Sequence, residues 1–100
     1  MAAVKTHVTY RPKKGREEEL LALVRKHGPA LESTGLISGG APTVYRAHNK
    51  RTGETSFIEI FSWRDEQASG LAHQTPEVMA VWEPMTPLLE HLEINAIEPL

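Results

Sequence analysis

The stretch Phe57 to Met85, FIEIFSWRDEQASGLAHQTPEVMAVWEPM, constrains the fold most, because it joins a strand pattern to a helical one through a capped turn. Phe57, Glu59, Phe61 and Trp63 share one parity, and Ile58 and Ile60 the other. Apolar groups on both sides mark a central strand over Ser56 to Trp63. Asp65 can cap a helix over roughly 66–73. A second start follows at Thr75, with Pro76 suited to the first helical position and Glu77 beside the positive helix end. Val78, Val81, Trp82, Met85, Leu88, Leu89 and Leu92 continue at helical spacing, while Pro84 and Pro87 predict a kink or a break.

Upstream, Val4, Val8 and Tyr10 alternate with Lys5, His7 and Thr9, which predicts a strand ending before Pro12. Glu17, Glu18 and Glu19 then open a helix whose apolar stripe is Leu20, Leu21, Val24 and Leu31. Gly28-Pro29 predicts a stop or kink, with a shorter segment resuming near Ala30 and finishing before Gly35. SGGAP at 38–42 is turn-rich and leads to a strand over Thr43 to His48. NKRTG at 49–53 reads as a hairpin connection with Gly53 at positive φ, and the last strand is expected over Leu92 to Ile97.

The order β-α-β-β-α-β fits an α+β, ferredoxin-like sandwich, with helices on one face of a four-stranded antiparallel sheet. Phe57, Phe61 and Tyr45 are expected on the other face, where a second subunit would hide them from water. A chain of 100 residues with 40% hydrophobic content suits a single domain over 1–100, and a chain this short is often helped by self-association.

Formal charge is −2, and the basic cluster Arg11, Lys13, Lys14 and Arg16 lacks interleaved aromatics, so nucleic-acid binding is not expected. The absence of cysteine excludes thiol catalysis and thiolate metal sites. No stretch approaches the ~18 consecutive apolar residues of a membrane span, and the N-terminus lacks a secretory pattern. The expectation is a cytoplasmic protein without a membrane partner. No phosphate loop, nucleophile elbow or zinc-protease helix is present, and His7, His27, His48 and His91 are dispersed without metal-ligand spacing.

HVTYRPKKGREEELLALV at the start, FIEIFSWRDEQASGLAHQTPEV in the middle and LEINAI near the end, taken in order, resemble the antibiotic-biosynthesis-monooxygenase-like group of the dimeric α/β-barrel superfamily. TPEVMAVWEPM and the Gly28-Pro29 interruption are similar to an uncharacterised branch of it. The resemblance implies a homodimer whose two sheets form a barrel, with a pocket between sheet and helices in each subunit. It also implies cofactor-independent oxygenation of an aromatic or quinol-like molecule. The haem-degrading branch carries an Asn on its first strand and a Trp about ten residues before a His. Here the strand offers His7 and Thr9, and His73 precedes Trp82, which argues against haem.

His73 is the candidate catalytic base, since a histidine near neutral pKa can take a phenolic or enolic proton. A structural hydrogen bond at the helix junction is the alternative. Trp63 and Trp82 can wall a ligand pocket, Met79 and Met85 can adapt to a planar ligand, and His7 is a further ligand contact, although core packing explains the tryptophans and methionines equally. Tyr45 can orient a ligand oxygen or pack at a subunit contact. Glu59, inside an apolar strand, requires a donor such as Arg46, His7 or a partner-chain group, as a structural pair or as an acid/base. The rival function is a non-catalytic homodimer that binds a small ligand or is purely structural.

Overall fold

The computed structural model describes residues 3–100. Its elements run β1 (Val4–Pro12), α1 (Glu17–Thr34), β2 (Ile37–His48), β3 (Thr55–Trp63), α2 (Ala68–Ala72), α3 (Pro76–Met85), a 3-10 turn (Thr86–Leu88) and β4 (Leu89–Ala96). The strands form one antiparallel sheet in the order β2-β3-β1-β4, the ferredoxin-like arrangement expected from the element order.

The barrel expectation is corrected here. β2 and β4 each pair on one side only, so the four-stranded sheet is open and not closed into a barrel. Closure needs the last strand to hydrogen-bond the first, and four twisted strands span too little arc for that. Phe57 and Phe61 are not on the outer face either. Register pairs Tyr10 with Phe57, Val8 with Glu59 and Thr6 with Phe61, and these residues all face the helices and are buried. The outer face instead mixes polar groups such as His7 and Thr9 with half-buried Ile58 and Ile60 and exposed Tyr45.

Helix α1 runs through Gly28-Pro29 without a break and ends at Gly35, whose φ of 71° lets its amide reach Glu32 O. Proline removes one backbone bond but its ring holds a helical φ, so packing on both sides can carry the helix past it. That packing is close: a Cβ on buried Gly28 would lie 3.2 Å from Pro42 Cδ on β2. Leu20, Val24 and Leu31 are fully buried against the sheet, each side chain contributing about 1.5–3 kcal/mol by leaving water.

Strand β2 begins earlier than the turn-rich SGGAP suggested. Gly39 and Gly40, both at positive φ, form an irregularity between Ser38 and Thr43 around which pairing with β3 continues on each side. Pro84 lies inside α3, and the change to 3-10 geometry comes at Thr86 and Pro87. Helix α2 is shorter than the 66–73 expected and Gln67, not Asp65, is its N-cap; Asp65 instead accepts from the Gln67 amide at 2.9 Å in the turn before it, and that bond, with Arg64 beside it, holds its carboxyl below the usual range. Thr75 does not cap α3 with its side chain; its hydroxyl donates to Leu71 O at 2.8 Å instead.

Candidate functional site

A cavity of about 280 Å³ lies between the second helical region and the β1–β4 half of the sheet. Strand alternation supplies its floor: Thr6, Val8 and Tyr10 point to the helix side of β1, and their partners Leu92 and Ile94 continue that face onto β4. The helices do not cover the β4 edge, where Leu92 is 43% and Ile94 62% exposed, so the cavity is open there. Its opposite wall is built by His27 from α1, His73 after α2, and Met79, Trp82 and Met85 from α3. Phe61 and Trp63 close the β3 end with edge-to-face rings 4.9 Å apart.

Beneath this wall runs a chain of hydrogen bonds. Tyr10 donates its hydroxyl to Glu59 Oε1 at 2.6 Å, and His27 Nδ1 lies 2.7 Å from the same oxygen. Trp82 donates its indole Nε1–H to His27 Nε2 at 2.6 Å. Indole nitrogen can only donate, so His27 Nε2 must accept. The ring proton therefore sits on Nδ1, and His27 is a neutral imidazole donating to Glu59. Glu59 is fully buried, and two donors on one oxygen offset part of the cost of removing it from water. Burial, and then the neighbouring Glu59, raise the Tyr10 hydroxyl well above the usual tyrosine range and keep it protonated as a donor.

The structure brings Trp63, Trp82, Met79, Met85 and His73 to one cavity. His73 is exposed where it lines the cavity, with its ring 4.8 Å from the Trp82 indole and no hydrogen bond from its ring nitrogens to another described residue. His7 lies on the outer face of β1, opposite Ile60 and Asn95, and Tyr45 is 52% exposed on the outer face of β2; neither lines the cavity. The donors anticipated for Glu59 are different from those it has. Arg46 stands over the Phe57 ring, 5.8 Å from its centroid, and His7 faces the other way.

Tyr10 and His27 were the residues not singled out. A signal for His27 was present: it completes the series Leu20, Val24, His27, Leu31 on the buried stripe of α1. A histidine in an apolar stripe and a glutamate in an apolar strand each lack a partner locally, and here they meet at Glu59 Oε1, while Glu59 Oε2 stays buried without a partner among the described residues. Among the described residues, no group of three or more His, Asp or Glu side chains is placed to hold a metal ion, and no helix is long and apolar enough to cross a membrane.

No protein-family model and no curated protein matches the sequence. Solved structures do match. The Pseudomonas aeruginosa protein PA3566 superposes with a TM-score of 0.78 at 16% identity, over 100% of this chain and 96% of its own. An antibiotic biosynthesis monooxygenase gives 0.69 at 14% identity, over 97% of this chain and 98% of its own. A NIPSNAP family protein from Agrobacterium tumefaciens gives 0.67 at 18% identity, over 99% of this chain and 94% of its own. At such identities the likeness is one of architecture: along nearly its whole length, this chain has the fold shared by antibiotic biosynthesis monooxygenase and NIPSNAP proteins.

Proposed function

We propose that the chain is a cofactor-independent monooxygenase acting on a small aromatic or quinol-like molecule held in the cavity between sheet and helices. The observation that carries this reading is the cavity itself. Tryptophan, phenylalanine and methionine side chains shape an apolar slot suited to a planar ring, and an imidazole with uncommitted nitrogens stands at its mouth. Among the described residues no Lys or Arg lines it, while Glu83 does, so a neutral ring is a better fit than a carboxylate or phosphate.

His73 takes the acidic proton of a phenolic or enolic group, and the electron-rich anion reacts with oxygen directly. In the overall reaction a ring-activated CH2 becomes C=O, and the two displaced hydrogens leave with the second oxygen atom as water. Oxygen uptake with a panel of phenols, quinols and anthrone-like compounds tests this. Turnover that falls at least tenfold in a folded His73→Ala variant, as general-base catalysis is usually worth 10²–10⁴, supports it. Undiminished turnover removes His73 from the role.

The second reading, binding without chemistry, is favoured by one observation: His73 is exposed, and no hydrogen bond from another described residue orients its ring. Saturable binding of aromatic ligands with no oxygen uptake from any of them would establish it. In either case we propose a homodimer, supported by the exposed apolar groups Leu92, Ile94 and Ile97 along and beyond β4. Light scattering on the eluting peak decides the point, a monomer mass at working concentration being the contrary result.

A further inference from the structure

We infer that the buried Glu59–His27 pair is a hydroxyl-binding site for the ligand, with Trp82 occupying it as a cap when no ligand is present. The inference rests on the reading of the cavity as a ligand site and adds to it the chemical group recognised there.

His27 Nε2 is the acceptor of this site. It belongs to a residue that lines the cavity, and its role as an acceptor is fixed by the proton on Nδ1, which Glu59 holds. A carboxylate behind an imidazole orients the ring and strengthens Nε2 as an acceptor, the same logic that governs histidines at metal and catalytic centres. The donor now meeting that nitrogen, the indole Nε1–H of Trp82, is aromatic, planar and weakly acidic. A phenol carries the same features, with a stronger donor on a smaller ring.

Trp82 is only half-buried, on the wall of an open cavity, whereas His27 and Glu59 are held inside. The cap is therefore the member of the chain free to move, since an indole N–H turned toward the mouth can be satisfied by water. His73, its ring 4.8 Å from the same indole, lines the same cavity. A hydroxyarene that displaces the indole donates its hydroxyl to His27 and leaves the remainder of its ring beside His73. The class of ligand selected is a neutral aromatic with at least one free hydroxyl, in preference to its ether.

The experiment is a calorimetric titration under nitrogen of para-ethylphenol and its methyl ether, two ligands of one shape that differ in a donor. Wild type is compared with Trp82→Phe, which removes the capping N–H and leaves His27 and Glu59 in place. The expected result is that Trp82→Phe binds the phenol several-fold more tightly with little change for the ether, so the phenol-to-ether ratio rises by about tenfold, the size of one uncompensated hydrogen bond. His27→Gln, retested for folding by circular dichroism, is expected to reduce that ratio. A ratio that is the same in wild type and Trp82→Phe, with both ligands binding, overturns the hydroxyl site while the cavity remains a ligand site. Binding of neither ligand to either protein overturns the cavity reading and the hydroxyl site together.

Discussion

Two histidines lie beside one indole, and their surroundings differ in almost every other respect. His27 is buried, both of its ring nitrogens are engaged, and its tautomer follows from its neighbours. His73 is exposed and carries no such bonds, although its ring is the nearer of the two to Trp82, at 4.8 Å against 5.5 Å. Proximity to an aromatic wall therefore says little about what a side chain contributes. What separates the two is how many other groups depend on each: Glu59 and Trp82 lose a partner if His27 is removed, and no described residue loses one if His73 is.

The largest expected effect follows directly. His27→Phe keeps an aromatic ring but leaves the fully buried Glu59 with Tyr10 alone as donor, and it takes away the acceptor of the Trp82 N–H. Removing one partner from a buried polar group costs about 1–3 kcal/mol per group left unsatisfied, so a loss of roughly 2–3 kcal/mol in urea unfolding is expected. A loss below 0.5 kcal/mol, the usual range for a surface change, would erase the contrast between the two histidines.

Tyr10→Phe is the next largest. It removes the other donor to Glu59 without opening a cavity, so about 1–2 kcal/mol should be lost. The variant also sharpens the comparison through pH. The folded chain holds the Tyr10 proton more tightly than the unfolded chain, because burial and Glu59 both oppose the phenolate. Above the usual tyrosine range, near pH 10, the unfolded state binds fewer protons than the folded one, and stability falls as pH rises. Below that range the contribution is fully present. Unfolding midpoints measured from neutral to strongly alkaline pH should decline more steeply for wild type than for Tyr10→Phe, and parallel declines would show that Tyr10 is not the group responsible.

The same contrast explains what could be read from the chain before its structure. Element order and parity are local properties, and alternation at Val8, Tyr10, Phe57 and Phe61, with the helical stripe at Leu20, Val24 and Leu31, was enough for the ferredoxin-like arrangement. Which sheet face the helices cover is a non-local matter. Phe57 and Phe61 were expected on the outer face, and chain parity alone cannot distinguish that face from the inner one. The buried triad was hidden for a related reason. Tyr10, His27 and Glu59 are separated by 32 or more positions wherever Glu59 is a partner, so the need for a donor at Glu59 was visible but the identity of the donor was not. Pro29 failed as a signal because helix packing against β2 outweighs one missing backbone bond.

The smallest expected change in stability belongs to His73→Ala, and it is informative because it is small. An exposed imidazole with no bonded partner is expected to alter unfolding free energy by no more than about 0.5 kcal/mol. Its ring stands tilted 4.8 Å from the Trp82 indole, so the indole should gain freedom when the ring is removed. Chain fluorescence comes only from Trp63 and Trp82 among tryptophans, and a Trp63→Phe background leaves Trp82 as the sole indole reporter. In that background His73→Ala should change Trp82 intensity, since an adjacent imidazole can quench an indole, while leaving the urea midpoint in place. A midpoint that moves as far as it does for His27→Phe would mean that the mouth of the cavity is as much a part of the folded core as its floor. That outcome would leave His73 a structural residue and withdraw the base from the proposed reaction.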